Sequence, residues 1–154
     1  MRSDFYNFTL EVPKKIPIAM EHLAKNRPTF IHGDSWINNW MFDNQIPVLI
    51  DWQTCCYGNG VYDLATMLSS CLCVWSKEIQ HTILNFYLTV LGNYGCRNYT
   101  YEMLENDFKQ AKIFTFAVTF PVLRHYFVFD ADEEELADYH RKKNFYYEFY
   151  SDVL

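Results

Sequence analysis

The chain has 154 residues, 50% of them apolar, which suffices for one hydrophobic core and predicts a single domain. Its formal net charge of -6 argues against nucleic acid and anionic membrane as partners, because both are bound through an excess of Lys and Arg. The N-terminus has no apolar signal-peptide core and no run of about eighteen apolar residues occurs, so we expect a cytoplasmic protein.

The first predicted elements precede and frame a polar motif. The segment from Pro13 to Pro17 is expected to interrupt regular structure, and the apolar spacing from Ile18 to Ala24 predicts a short helix that ends before Arg27. Short apolar strands are predicted at 29–31, 40–42 and 48–50. The turn-forming residues 43–45 lie between the last two strands and predict a hairpin.

A helix is predicted after the hairpin. A loop from Cys55 to Gly60 leads into it, and its apolar residues recur at intervals of three and four, as expected for one buried helix face. These residues are Leu64, Met67, Leu68, Cys71 and Leu72. The next helix is predicted from about Lys77 to Leu91, closed by Gly92 in the C′ position.

Two further helices are predicted towards the C-terminus. One begins with Thr100 as its N-cap and runs towards Phe120, where Pro121 is expected to kink or end it. The other starts near Asp132, for which Glu135 completes a capping box. It continues through the aromatic run at 145–150.

The cysteines are odd in number and closely spaced, as Cys55-Cys56, Cys71-x-Cys73 and Cys96. Neighbouring cysteines rarely meet the geometry of a disulfide with each other, and none has the Cys-x-x-Cys spacing of a zinc knuckle. We expect buried, reduced thiols rather than a disulfide framework or a metal site.

Carboxylates and an amide occur between residues 30 and 65 in the order that phosphoryl transfer requires. An apolar strand leads to a tight turn with Asp34, and Asn39 follows five residues later. A second apolar strand ends in Asp51, and Asp63 opens a helix. Protein kinases use a catalytic-loop Asp, an Asn at this spacing and a metal-binding Asp after a hairpin. The pattern therefore predicts a phosphotransferase site with Asp34 as the catalytic base.

Three motifs in this order resemble the aminoglycoside phosphotransferase and choline kinase superfamily of small-molecule kinases. They are His32-Gly33-Asp34-x-x-x-x-Asn39, Ile50-Asp51-Trp52-Gln53 and Asp63-Leu64-Ala65. The residues from His32 to Phe42 are most similar to the ecdysteroid-kinase-like branch, also called CHK-kinase-like. The resemblance implies an α+β fold, the mostly helical C-terminal lobe of a protein-kinase-like structure, with a small β-hairpin that carries the catalytic and metal-binding loops.

The resemblance also implies a domain organisation. The chain, 1–154, would be one lobe, with a catalytic core at 29–67, a helical subdomain at 68–154 and no N-terminal ATP-binding lobe. No glycine precedes Gly33, and the upstream lysines have the pattern of solvated charges rather than of a nucleotide-binding strand lysine. These lysines are Lys14, Lys15 and Lys25. We therefore expect little or no kinase activity from the isolated chain.

Each motif residue acquires a role from the resemblance. Asp34 would act as the catalytic base, while His32, in the same catalytic loop, would orient that loop. Asn39 and Asp51 would hold Mg²⁺ together with ATP. Asp63 would support the loop by accepting hydrogen bonds from its backbone.

Three functions remain open. The first is the catalytic lobe of an ATP-dependent kinase that phosphorylates a hydroxyl of a steroid-, choline- or aminoglycoside-like acceptor. The second is a non-catalytic, kinase-like binding module, which would have no need for the base and both metal ligands. The third is a lobe completed in trans by another chain, of which exposed apolar residues near the motif would be the sign. Trp36, Trp40 and Trp52 either line a pocket for a flat apolar acceptor or pack the hairpin.

Overall fold

The computed structural model describes residues 2–71, 75–125 and 133–153. Its helices in these ranges are α1 (Arg2–Lys25), α2 (Val61–Ser70), α3 (Lys77–Asn93), α4 (Tyr101–His125) and α5 (Glu133–Tyr150). Its strands are β1 (Pro28–Ile31), β2 (Trp40–Asp43), β3 (Ile46–Leu49) and β4 (Cys56–Asn59). Short 3-10 turns lie at Ile37–Asn39, Trp52–Thr54 and Ser151–Val153.

The strands form two antiparallel pairs. β1 pairs with β4, and β2 pairs with β3. In the β2–β3 turn, Asn44 and Gln45 have φ angles of 49° and 69°, the left-handed conformation that closes tight hairpins. The predicted α+β class, mostly helical with a small hairpin, is confirmed. Its assignment to the C-terminal lobe of a kinase stays a prediction.

α1 is one long helix, so the predicted interruption at Pro13 to Pro17 is wrong. Each proline removes a backbone hydrogen bond from the helix, but both prolines are exposed. The opposite stripe of the helix packs against the core and consists of Val12, Ile16, Ala19 and Leu23. Burial of this apolar stripe offsets the free energy lost with the missing hydrogen bonds. Rules based on local sequence alone do not include such burial, so they predict an interruption.

The predicted loop from Cys55 to Gly60 is also wrong, because most of it forms β4. The segment has a weak strand sequence, but its backbone pairs with β1 along its whole length. Gly58 leaves room for the Ile31 side chain of β1, since a Cβ there would lie 2.5 Å from Cδ1 of Ile31. Pairing with a distant strand therefore decides the structure of this segment.

α3 extends to Asn93 and is closed by Gly95 rather than by the predicted Gly92. Gly95 has a φ angle of 93°, and the next residue, Cys96, donates its N–H to the carbonyl of Leu91 at 2.9 Å. This is the Schellman arrangement, which requires a left-handed residue one position before the donor. Gly92 lies inside the last turn of the helix.

The later helices agree better with prediction. Thr100 caps α4, because its Oγ1 accepts a hydrogen bond from the N–H of Met103 at 3.2 Å. α4 continues to His125, so Pro121 does not end it. α5 includes the aromatic run at 145–150 as predicted. The predicted cap at Asp132, like Leu72 and Cys73, lies outside the described residues.

α4 forms the centre of the fold and packs against the other four described helices. Its buried face consists of Leu104, Phe108, Ala111, Ile113 and Phe116. Lys112 of the same helix is also buried, with 1% of its surface exposed, and its Nζ donates to the carbonyl of Phe149 at 2.9 Å and pairs with Asp152. Burial lowers the pKa of Lys112, and the Asp152 carboxylate opposes that shift. The contacts attach the C-terminal turn to α4.

Alkaline conditions are expected to unfold the protein through buried phenols. Burial raises the pKa values of Tyr62, Tyr87 and Tyr99 above the ordinary value of 10.0. Above about pH 10 the unfolded chain loses these phenolic protons and the folded chain keeps them, so the free energy of unfolding falls as pH rises. A pH titration followed by tyrosinate absorbance and circular dichroism should show a late ionisation phase that coincides with unfolding.

The variant Tyr87→Phe identifies that phase, because it should reduce the late amplitude by one phenol. Ionisation of all tyrosines together near pH 10, with the circular dichroism unchanged, would contradict the prediction.

Cys55, Cys56, Cys71 and Cys96 are free thiols, as expected. Cys55 and Cys56 are exposed, however, so the prediction of burial is wrong for them. Cys56 is the first residue of β4 and Cys55 immediately precedes it, and no other described strand extends this two-stranded ribbon. Within the described ranges, no helix combines the length and apolar character needed to cross a membrane.

Candidate functional site

Four of the five predicted site residues lie on the connections between strands. Asp34 follows β1, Asn39 immediately precedes β2, and Asp51 follows β3. Because β2 and β3 are antiparallel partners, Asn39 and Asp51 lie at the same end of the hairpin. The N–H of Ile50 donates to the carbonyl of Asn39 at 2.9 Å and joins the two connections.

Asn39 contacts Asp34 directly. Its Nδ2 donates to the backbone carbonyl of Asp34 at 2.7 Å and to the Oδ2 of Asp34 at 3.1 Å. Asn39 is buried with 7% of its surface exposed, whereas Asp34 is half-buried. The amide therefore fixes the orientation of the Asp34 carboxylate and turns its own Oδ1 away from it.

His32 ties the Asp34 turn to the Asp51 connection. Its Nδ1 accepts a hydrogen bond from the N–H of Asp34 at 3.2 Å, and its Nε2 lies 2.9 Å from the carbonyl of Ile50. These partners assign a neutral ring with the proton on Nε2. Since both nitrogens are engaged and the residue is 2% exposed, the geometry supports an orienting role rather than proton transfer to solvent.

Asp63 holds the backbone of the same turn. It lies in the first turn of α2, and its two carboxylate oxygens accept hydrogen bonds from the N–H groups of His32 at 2.8 Å and Gly33 at 3.0 Å. Ser35 adds a third contact, since its Oγ donates to the carbonyl of Asp63 at 2.6 Å. One carboxylate thus satisfies two successive backbone donors, and α2 and the turn must move together.

Gly33 is required by the shape of the turn. Its φ angle is 83°, a left-handed conformation that side chains rarely adopt. A Cβ at this position would lie 2.6 Å from the backbone oxygen of Thr54. The turn therefore presses directly against the connection that follows Asp51.

Asp51 has a strained backbone. Its φ and ψ angles are 63° and 62°, the left-handed region that non-glycine residues seldom occupy. Its side chain is exposed, and the Nε2 of Gln53 lies 3.4 Å from its Oδ2. Such strain persists only where the surroundings impose it, and it clusters at functional sites.

The donor atoms fit a magnesium ion. Because Nδ2 of Asn39 is engaged on Asp34, its amide oxygen is the end that can face a cation, and Asp51 lies at the same end of the hairpin. Mg²⁺ prefers such oxygen ligands and takes few of them from protein. In residues 2–71, 75–125 and 133–153, no group of three or more His, Cys, Asp or Glu side chains could hold a metal. The candidate site instead combines two carboxylates with an amide.

Two of the three tryptophans near the motif pack the site. The Nε1 of Trp40 donates to the carbonyl of Ser35 at 2.9 Å, and the Nε1 of Trp52 donates to the carbonyl of Leu49 at 2.8 Å. The Trp52 ring also meets the His32 ring edge-on, with centroids 4.6 Å apart. These contacts agree with the packing alternative for Trp40 and Trp52, although Trp52 is 47% exposed and Trp36 39%.

A mainly apolar pocket of about 330 Å³ lies beside the turn. α1, the β1–β4 pair, α2 and α4 form its walls, with the residues Met20, Leu23, Ala24, Ile31, Gly33, Thr54, Cys56, Tyr57, Gly58, Asn59, Tyr62 and Phe114. Burial raises the pKa of Tyr62, and the nearby carboxylates of Asp63 and Asp34 add to the shift. None of the three tryptophans lines this pocket.

Apolar side chains are exposed on both strand pairs. The most exposed are Phe30, Met41, Phe42, Ile46 and Tyr57, each with more than half of its surface in solvent. Singly exposed apolar residues are common, but a cluster beside a candidate site is typical of an interface.

Sequence reasoning missed Thr54, Tyr62 and Phe114. The Oγ1 of Thr54 donates to the carbonyl of His32 at 3.1 Å, and Tyr62 and Phe114 form a wall of the pocket with ring centroids 5.4 Å apart. Thr54 directly follows the Ile-Asp-Trp-Gln motif, and this position is the one feature of the sequence that could have suggested a role for it in the site. Nothing in the sequence connects Phe114 with the motif.

The chain was compared with family models, curated proteins and solved structures. A family model described as "Phosphotransferase enzyme family" matches residues 7–99, which is more than half of the chain and includes every predicted site residue. No curated protein and no solved structure matched the chain significantly.

Proposed function

The chain belongs to the phosphotransferase enzyme family, and from this premise we propose that its site transfers the γ-phosphoryl group of ATP to a hydroxyl of a small molecule. The observation that carries the proposal is that Asn39 connects Asp34 to the segment that carries Asp51. Its amide donates to Asp34, and its carbonyl accepts from the residue before Asp51. A base beside two oxygen ligands is what phosphoryl transfer to an alcohol needs.

The proposed step uses Asp34 as the base. The acceptor oxygen bonds to the γ-phosphorus, the bond from that phosphorus to the β–γ bridging oxygen breaks, and ADP leaves. The hydroxyl proton passes to the Asp34 carboxylate, which Asn39 orients. Asn39 and Asp51 would hold Mg²⁺, which, when bound with ATP, neutralises charge on the phosphate oxygens. His32 and Asp63 hold the loop in place.

The pocket beside Gly33 supports an acceptor with an apolar body. Among the described residues, its lining contains no Asp or Glu, which a polycationic, aminoglycoside-like acceptor would need, and its volume of about 330 Å³ is in the range of ligand sites. These features favour the steroid-like class over the aminoglycoside-like class. The hydroxyl of such a molecule would reach Asp34 past Gly33.

A second proposal concerns the exposed apolar residues. Phe42 and Ile46, which flank the turn of the hairpin, are 72% and 65% exposed. We propose that an ATP-binding lobe packs on this face and supplies the nucleotide-holding groups that the motif itself does not contain. Cover of this face by such a lobe would explain why so much apolar surface lies beside the candidate site.

Manganese binding tests the proposed ligands, because Mn²⁺ accepts the same oxygen donors as Mg²⁺ and is paramagnetic. Without nucleotide, which would itself chelate Mn²⁺, Asp51→Asn is expected to weaken Mn²⁺ binding by the chain at least about tenfold, since a charged ligand becomes neutral. Electron paramagnetic resonance of free Mn²⁺ gives the dissociation constant.

The matched control is Asp43→Asn, the same charge change at an exposed residue of the hairpin turn. It should leave Mn²⁺ binding unchanged. Equal weakening in both variants, or no specific binding by the unmodified chain, would refute the ligand assignment. If Mn²⁺ binds equally well to the unmodified chain and to Asp51→Asn, that result would instead favour the non-catalytic binding module.

A further inference from the structure

Asp107 of α4 is a buried carboxylate with four partners, none of them a predicted site residue. Its side chain is 3% exposed. Its Oδ1 lies 2.6 Å from Nε2 of His22, and its Oδ2 accepts hydrogen bonds from the hydroxyl of Tyr99 at 2.8 Å and from Nδ2 of Asn59 at 3.2 Å. The guanidinium of Arg27 lies 3.8 Å away and stacks on the Tyr99 ring. Several donors thus share this one buried carboxylate.

Asn59 links Asp107 to α2 through the hydrogen bonds of its side-chain amide. Its Nδ2 donates both to Asp107 and to the carbonyl of Asn26, at 3.1 Å. These bonds decide which way the amide faces, so its Oδ1 must point to the opposite side. There it accepts a hydrogen bond from the N–H of Val61, the first residue of α2, at 3.0 Å.

The start of α2 depends on this contact. The residue at the N-cap is Gly60, which has no side chain to accept a hydrogen bond from the first turn. Asn59 performs the capping from one position earlier. Asp63 lies in the same turn, two residues after Val61, and accepts the hydrogen bonds of His32 and Gly33.

We propose that Asp107 is a positioning residue for the catalytic loop and acts through Asn59 and the first turn of α2. It sets the place of Asp63, and Asp63 sets the place of the turn that carries Asp34. The consequence for catalysis rests on the proposed function. The positioning itself concerns only the fold and can be measured without nucleotide.

Amide hydrogen exchange of the 154-residue chain tests the path. In Asn59→Ala, the amides of His32 and Gly33 should exchange about fivefold faster or more, the effect of a lost helix cap, while core amides of α3 and α4 change less. The control is Tyr99→Phe, which removes another donor from the same Asp107 oxygen but does not lie on the path to α2. It should leave the ratio of loop to core exchange unchanged.

The two variants separate positioning from general stability. Equal acceleration of loop and core amides in both variants, or no change in Asn59→Ala, would overturn the proposal. If Asn59→Ala does not fold, Asn59→Ser replaces it, since serine can cap Val61 but is too short to reach Asp107. Loop exchange in Asn59→Ser should then exceed that in Tyr99→Phe, and the absence of an excess would also overturn it. The Mn²⁺ experiment tests the proposed function separately.

Discussion

Asp63→Ala is expected to lower the free energy of unfolding by about 3–6 kcal/mol, because each hydrogen bond to a charged group contributes about 1.5–3 kcal/mol and two are lost. The N–H groups of His32 and Gly33 would lose their shared acceptor inside the protein. The turn that carries Asp34 would lose its attachment to α2. Urea unfolding monitored by tryptophan fluorescence gives the change in stability.

The matched control is Glu102→Ala, which removes an exposed carboxylate from the first turn of α4. Both variants lose a favourable charge at a helix N-terminus, a contribution of about 0.3–1 kcal/mol. The difference between them therefore isolates the two hydrogen bonds to the turn. A difference below about 1 kcal/mol would show that these bonds contribute little to stability.

Gly33→Ala is expected to cost about 2–5 kcal/mol, from two sources that add. An L-residue in the left-handed region costs about 1–2 kcal/mol, and the new Cβ must push against backbone that can move only with the next connection, at about 1–3 kcal/mol more. The contact in question is 2.6 Å to the backbone oxygen of Thr54. Urea unfolding measures the sum, and the Mn²⁺ affinity reports whether the Asp51 connection has moved.

Gly95→Ala separates the two sources. Gly95 has a similar φ angle of 93°, but a Cβ there would meet nothing within 4 Å. This variant should show the backbone cost alone, about 1–2 kcal/mol. An equal loss of stability at Gly33 and Gly95 would mean that the backbone around Thr54 moves aside at little cost in free energy. The close contact between the Gly33 turn and the Thr54 segment would then contribute little to stability.

The sequence was most informative where a structural need is local. A tight turn after a strand needs a glycine, and Asn39 reaches Asp34 because only four residues of turn and 3-10 structure lie between them. The hairpin at 40–49 was predictable from two apolar runs and turn residues. The roles assigned to these residues came from the family resemblance and stay predictions.

Features that depend on distant partners could not be predicted. Asp107 and Asn59 are 48 positions apart, and neither has a neighbour that marks it as part of a buried network. β4 becomes a strand only because β1 is present, and α1 passes through two prolines because α4 covers its opposite face. The role of Gly95 in ending α3 was missed for a related reason. Local sequence does not show which of Gly92 and Gly95 adopts the left-handed conformation, and the structure shows that Gly95 does.

The β1–β4 ladder encloses the candidate site. Asp34, Asn39 and Asp51 all lie between these two strands, and four residue pairs hold the ends of that segment together. Opening of this short ladder would release the proposed base and both proposed ligands at once, so the site should be lost as a unit and not residue by residue. A cation held between Asn39 and Asp51 would draw the enclosed connections together. Cation binding and closure of the ladder would then be thermodynamically linked, and each would strengthen the other by the same free energy.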